Sequence, residues 1–559
     1  MTTDGITRRT AGMILGLLLI LSAVSRALFF SQLGFDHFDA AAYALSAQSV
    51  AEGAGWTHVF PNQHLLAPPL FFTLGGGLAR GSPLGVDAAL HVLAIVFGVA
   101  LVFVTYLAGR SWFGRGAGLA AATLVALMDS FILFSRVALT DEAFCCFFLL
   151  ALLAFDRARR RGSWSAAVLA GLAMGLAWNT KYHGWLAAVI AAAVIGVEAL
   201  AQRRRPSRRV VMGWVAACAV GFLCYLPWLV HIVHQPGGYA RLAAQHASFL
   251  APAAAFDHLR TQAGIQLYLD GWGARVAPAA AFVLVALAGL RQATHGLRAL
   301  AGLPLLLGLA WIVGGVGASS LLALAAVIVS FQKSKAGARP WTALAFLGLF
   351  TLLTPLYHPY ARLLLPWLLA VALFAGAGLA RFATSLVDDH SSAFHRGFVA
   401  VIGAATLVGA VAAYGFVPRP TPETWGPTDG LRRVAKNAAS GSLATRQPVL
   451  VVGEPALVFY LREQGLDARH VDRLDAPTLR RHPGVAWALT GVYARRAGVV
   501  EEALDAALIV TVIPVHSWRW RVGEVRRLDD FQPWEARLDR ARRPQSPQHR
   551  IDLWGLRRP

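Results

Sequence analysis

The chain has 559 residues, of which 56% are hydrophobic and only 14% charged, with a formal net charge of +21. That composition excludes an ordinary soluble globular protein and fits many bilayer-crossing helices of about 20 apolar residues each. The excess positive charge sits in clusters between apolar runs, a placement that points to membrane topology and away from nucleic acid.

The first apolar run, residues 10–30, has no small-residue cleavage pattern behind it, which predicts a retained helix. Further spans are expected near 88–109, 116–134, 140–156, 165–180, 184–201, 210–230, 276–290, 299–315, 316–331, 341–355, 363–380 and 397–416, a polytopic α-helical membrane protein of about thirteen spans. The run 65–79 holds Pro68, Pro69 and Gly75–Gly77 and is too short and broken to span, so it is expected to be re-entrant or interfacial. Cationic clusters such as Arg8-Arg9, Arg159–Arg161, Arg203–Arg205 and Lys333-Lys335-Arg339 occupy alternate gaps and outnumber the cations of the opposite gaps. The bias places the N-terminus in the cytoplasm of a plasma (inner) membrane protein, and an odd number of spans puts the C-terminal part outside. The four cysteines, Cys145, Cys146, Cys218 and Cys224, lie inside apolar runs and suggest packing, with neither a disulfide framework nor zinc spacing.

After Phe416 the composition changes. Residues 417–447, with Pro418, Pro420, Pro422 and Pro427, read as a stiff linker behind a membrane domain of residues 1–416. Residues 448–559 read as a small extracytoplasmic α/β domain. Its expected strands are 449–453, 485–489, 508–515 and the alternating 518–522, with helices at 456–463 and 499–507 and an Arg- and Pro-rich tail at 537–550 without regular structure.

The unusual polar residues collect in the outward gaps. In the first outer loop, 31–87, no Lys or Arg occurs between Ala27 and Ala79, and Asp36, Asp39 and Glu52 are the charges there. Tyr43 follows Asp39 by four residues. The second outer loop runs Arg136 to Glu142 and includes Asp141. The third holds Lys181-Tyr182-His183-Gly184, and the last holds His358, Tyr360 and Arg362. A long outer loop, 231–275, carries more His, Arg and Tyr and suits a mobile cover. Each feature has a plain structural explanation too. Cations near span ends commonly snorkel, and Asp141-Glu142 suits the first turn of a helix. Acids and cations recurring on one face of a bilayer suit a lipid-linked phosphate substrate. Arg and Lys neutralise the departing phosphate while a carboxylate takes a proton from an incoming hydroxyl. A transporter or flippase for a lipid-linked sugar, or a non-catalytic scaffold for envelope glycan assembly, remains an alternative.

The order of these motifs resembles the GT-C glycosyltransferases, in the branch of the protein O-mannosyltransferases and the lipid A aminoarabinose transferase. The carriers are Asp39-Ala40-Ala41-Ala42-Tyr43, Pro68-Pro69-Leu70, Arg136 to Asp141, Lys181-Tyr182-His183-Gly184, and His358, Tyr360 and Arg362 leading to Leu365-Pro366. The family's Glu after the first Asp is Ala40 here, and Ala67 stands where some members have a cation. The resemblance implies a polyprenyl-phosphate sugar as donor and an inverting single displacement onto a hydroxyl acceptor of protein, lipid or glycan. Asp39 is then the general base, and Asp141, the second catalytic residue, orients the site or binds sugar or acceptor. Asp36, Tyr43, Arg136, Lys181, His358, Tyr360 and Arg362 are expected to bind substrate. No cofactor and no nucleic acid are expected. No metal spacing is present, though His58, His64 and His358 leave a scattered divalent site open.

Overall fold

The computed structural model describes residues 6–35, 37–56, 67–259, 261–262, 280–281, 340–387, 428–441, 443, 447–491, 507–513 and 551–556. The expected spans 299–315, 316–331 and 397–416, all but residues 280–281 of the expected span 276–290, and Asp36, His58 and His64 lie outside these residues.

The chain begins with helix α1, Arg8–Ala27, capped by the Thr7 hydroxyl on the Thr10 amide. Its Met13, Leu17, Ile20 and Val24 are 56–65% exposed at helical spacing, an apolar stripe that only lipid covers favourably. Two shorter helices lie within the expected first outer loop: α2, Phe38–Ala51, and α3, Leu70–Gly81, which pack on each other. The 28-residue α4, Val86–Phe113, is about 42 Å long at 1.5 Å per residue, ample for a bilayer. Four described helices are long and apolar enough to cross a membrane: α1 with the short turn after it, α4, α10 (Arg208–Val233) and the helical segment 361–380. These make the chain an integral membrane protein.

The run 116–134 was expected to be one span. It is two helices, α5 (Arg115–Leu127) and α6 (Asp129–Arg136), bent by 57° at Met128. Neither Pro nor Gly stands at the break. Met128 takes an extended conformation, and the fully buried Asp129 opens the next helix with an acid in its first turn. Helix α7, Asp141–Arg161, ends on Gly162 in the left-handed conformation, the usual helix stop. It is followed by α8 (Trp164–Trp178), α9 (Leu186–Gln202), α10 and α11 (Gly238–Ala247). Beyond residues 282–339 come α12 (Trp341–Leu353) and α13 (Leu365–Val387). Helix α13 lies on α5 through small residues. A Cβ at Gly376 would meet the backbone of Ala121 and Ala117 within 2.7 Å, so only glycine permits this approach.

Residues 417–447 were read as linker, yet α14, Gly430–Ser440, lies within them. Leu431, Val434, Ala435 and Ala438 form its buried face at i, i+3, i+4 and i+7, a pattern that the neighbouring prolines obscured. Behind it stands a five-stranded sheet in the order β2-β1-β3-β5-β4. The strands are β1 (Val449–Val452), β2 (Ala468–Val471), β3 (Trp487–Thr490), β4 (Ala507–Ile513) and β5 (Ile551–Leu556). Strand β1 is parallel to both neighbours and all four of its residues are buried, as befits a central parallel strand. Strand β5 closes the sheet antiparallel to β3 and β4. Helix α15, Pro455–Glu463, follows β1 and rests on α2. The expected helix 499–507 overlaps the described residues only at Ala507, which belongs to β4. The strand 518–522 and the tail 537–550 lie outside them.

Candidate functional site

The site is assembled from the start of α2, the start of α7, the turn before α9 and the segment before α13. His37 caps α2, its Nδ1 accepting from the Asp39 amide at 3.1 Å. That cap places Asp39 in the first helical turn, 9% exposed, where the helix dipole favours a carboxylate. Tyr43 lies one turn further on the same face and is buried.

Asp39 has no cationic neighbour in sequence, but the fold supplies one. Arg362 Nη1 stands 2.5 Å from Asp39 Oδ2, across more than three hundred residues. The isolation in sequence therefore does not leave Asp39 unpaired. Asp141 opens α7 and forms an ion pair with Lys181. Both carboxylates are thus matched one to one by cations from other loops. Tyr43 lies beside both pairs, in electrostatic reach of Asp39, Arg362 and Asp141. Burial first, then the charge of Asp39, push the phenol well above its ordinary value.

Lys181 is presented by a tight turn at the end of α8. The Lys181 amide donates to Ala177 O at 2.9 Å and the Gly184 amide to Lys181 O at 2.9 Å. A Cβ on Gly184 would collide with the backbone of Ala177 and Trp178, so the glycine of this motif lets the turn fold onto its own helix. The Pro68-Pro69-Leu70 segment is tied to the same turn, Leu70 N donating to Asn179 O at 2.9 Å. Burial pushes His183, whose ring meets Phe144 edge-on, down to about 3, so it is neutral at physiological pH.

A ring of aromatic and imidazole groups joins the Lys181 turn to the Arg362 segment. Tyr182 packs against His246 of α11 with ring centroids 5.1 Å apart, and His246 Nδ1 lies 3.2 Å from the Tyr357 hydroxyl. The chain around Phe249 runs beside 356–358, with His358 N donating to Phe249 O at 2.9 Å and Ala251 N to Leu356 O at 3.0 Å. Phe249 contacts the rings of His358 and Tyr360, and the Arg362 guanidinium lies 5.4 Å over Tyr360. Burial, with the neighbouring His258, lowers His358 below the ordinary imidazole value. His358 and Tyr360 thereby shape the support of Arg362.

Arg136 is placed differently from the other predicted residues. It is 1% exposed, and its Nη1 donates to the carbonyls of Leu28 at 2.7 Å and of Ser25 and Arg26 at 3.3 Å. It caps the end of α1, where those carbonyls lack helical partners. Arg26 does the same for α5, donating to Ala126 O and Val125 O at 3.1 Å, and its charge acts on the fully buried Glu142. Sequence reading gave Glu142 only a place in the first turn of a helix and Arg26 no part in the site, because only the broken span at Met128 creates the carbonyls that draw Arg26 inward. Tyr460 was missed as well. Its hydroxyl accepts from Phe35 N and donates to Asp87 Oδ2, both at 2.8 Å, while Arg432 reaches the same Asp87 oxygen at 2.9 Å. These contacts fasten the segment preceding Asp39 to α14 and α15. Among the described residues no three His, Cys, Asp or Glu side chains are grouped as metal ligands.

The fold is that of the GT-C membrane glycosyltransferases, and the chain resembles their mannosyltransferase and aminoarabinose-transferase branches. Residues 84–231 match the family model described as dolichyl-phosphate-mannose-protein mannosyltransferase. The crystal structure of ArnT from Cupriavidus metallidurans bound to undecaprenyl phosphate is similar, with a TM-score of 0.55 at 15% identity, covering 97% of each chain. The Archaeoglobus fulgidus oligosaccharyltransferase in its apo form gives 0.56 at 14% identity, over 87% of this chain and 70% of that one. The same archaeal enzyme, in complex with an inhibitory peptide and a dolichol-phosphate, gives 0.52 at 16% identity over the same shares. A search of curated protein sequences returned no match. The family match contains Arg136, Asp141 and Lys181 and leaves out Asp39 and Arg362.

Proposed function

We propose that the chain transfers a sugar from a polyprenyl-phosphate donor to an acceptor hydroxyl at the outer face of the membrane. The acceptor oxygen attacks the anomeric carbon, the bond from that carbon to the phosphate oxygen breaks, and the polyprenyl phosphate leaves with the electron pair. Asp39 takes the hydroxyl proton, and the configuration inverts. Arg362 and Lys181 receive the phosphate charge that grows as the bond breaks, a task needing fixed cations more than an acid. Asp141 orients Lys181, and Tyr43 fixes the spacing of the two carboxylates. The N-terminus is cytoplasmic, and the sheet with α14 and α15 lies outside, bracing α2. Arg136, committed to the end of α1, is left out of phosphate binding.

The observation that carries this reading is the convergence of Asp39, Arg362, Asp141 and Lys181 around Tyr43, from four separate segments. A transporter would instead place its polar groups near the bilayer midplane. The undecaprenyl phosphate in the ArnT structure and the dolichol-phosphate in the archaeal one support a lipid phosphate as ligand. The test is Asp39→Asn in purified protein. Transfer should fall by about 10²–10⁴, the usual worth of a general base, with folding unchanged. Undiminished transfer would remove Asp39 from the mechanism.

A further inference from the structure

In the ligand-free protein each cation that would hold the phosphate is already held by a carboxylate. Arg362 is on Asp39 and Lys181 is on Asp141. Both partners of each pair are largely buried, with side-chain exposures of 13% and 12% for the first and 13% and 2% for the second. Two positive and two negative charges cancel in the patch around Tyr43. A phosphate monoester entering it cannot gain the full attraction of either cation without loosening that cation from its acid. Conversely, the Asp39 oxygen gripped by the guanidinium has its lone pairs engaged and is not presented to an acceptor hydroxyl.

We infer that the donor phosphate displaces Asp39 from Arg362, and Asp141 from Lys181, so that binding of the lipid phosphate itself frees the base. This rests on the function proposed above and adds an order to it: the lipid phosphate binds first and the acceptor hydroxyl second. An acceptor arriving at the empty site meets a base still occupied by Arg362, which disfavours unproductive proton transfer. Tyr43 is the spacer of the exchange. It sits one turn from Asp39 on α2 and lies in electrostatic reach of Asp141 as well. Its buried ring therefore adjoins both pairs when the phosphate arrives.

The exchange predicts an effect opposite to that of an ordinary binding residue: removing an acid tightens the ligand. The measurement is the Kd of undecaprenyl phosphate for the full-length protein in nanodiscs, for wild type, Asp39→Asn, Arg362→Gln and the double variant. Asp39→Asn should bind about threefold to tenfold tighter, since a neutral amide no longer competes for the guanidinium. Arg362→Gln should bind more weakly, and the gain from Asp39→Asn should vanish in the Arg362→Gln background. Equal or weaker binding by folded Asp39→Asn overturns the inference, as does a gain that persists without Arg362. If Asp39→Asn does not fold, Asp141→Asn in wild-type and Lys181→Gln backgrounds poses the same question on the second pair. Inorganic phosphate serves as the control ligand and should not displace the lipid at equal concentration. Displacement would refute the lipid headgroup as the source of the phosphate. Wild type that binds no undecaprenyl phosphate would instead contradict the proposed function.

Discussion

Tyr460→Phe isolates the fastening between α15 and the segment that leads into Asp39. The substitution keeps the ring, which stacks on Phe35 with centroids 5.7 Å apart, and deletes only the hydroxyl. That hydroxyl makes two bonds, from Phe35 N and to Asp87 Oδ2, both 2.8 Å. Tyr460 is 1% exposed, so water does not readily replace the lost partner. A buried hydrogen bond to a neutral group contributes about 1 kcal/mol and one to a charged group about 1.5–3 kcal/mol. Asp87 keeps Arg432 and His91, which offsets part of the second term. The expected cost is about 3 kcal/mol of local opening free energy. At 1.4 kcal/mol per factor of ten, the amides of 428–463 should exchange with solvent about a hundredfold faster. Native-state hydrogen exchange on the full-length protein in nanodiscs reads this directly, with the amides of α5 and α13 as internal controls that should not change. A loss of protection spread evenly over α5 and α13, or no change in 428–463, would refute the claim that this hydroxyl holds the two parts together.

Gly184→Ala should destabilise the protein by about 1–3 kcal/mol, because the added methyl must push into the Ala177–Trp178 backbone, and a thermal melt will show it. Lys181→Met leaves the 2%-exposed Asp141 unpaired and should cost about 3–5 kcal/mol, most of it regained in Lys181→Met/Asp141→Asn; a double variant as unstable as the single one would argue against the pair. His470 is held down to about 4 by burial, partly countered by Asp472, so it stays neutral in the fold while the unfolded chain protonates near 6.5. Its contribution is complete above pH 6.5 and is lost as pH falls from there toward 4. Unfolding of the sheet followed against pH should therefore show a steeper acid loss in wild type than in His470→Gln.

Much of the membrane part was legible because apolar periodicity and cationic punctuation are local properties of a sequence. The helix at 86–113 and the acid-bearing start of α7 follow from them. The break at Met128 was not legible, since neither Pro nor Gly marks it and the fully buried Asp129 that follows reads in sequence as one polar residue in an apolar run. Helix α14 had the right spacing but lay beside a proline-rich stretch that outweighed it. Strand β2, reading Ala-Arg-His-Val, and strand β5, far down the chain, owe their pairing to β1 and β3 and carry little strand signal alone. In the site, the residue types could be read, but the pairing could not. Asp39 with Arg362, and Tyr460 with Asp87, join positions hundreds of residues apart. Arg136 had the right type and neighbourhood for a phosphate ligand, yet unsatisfied carbonyls at the end of α1 claimed it.

The most direct test of the whole account follows the donor lipid. Purified full-length protein in nanodiscs is incubated with lipid-linked sugars extracted from the producing cells, and the lipids are analysed by mass spectrometry. The account predicts that wild type consumes a glycosylated polyprenyl phosphate and releases the bare polyprenyl phosphate, with the sugar recovered on a hydroxyl acceptor, while folded Asp39→Asn leaves the donor intact. Equal consumption by Asp39→Asn, or movement of the lipid across the bilayer with its sugar still attached, would contradict it.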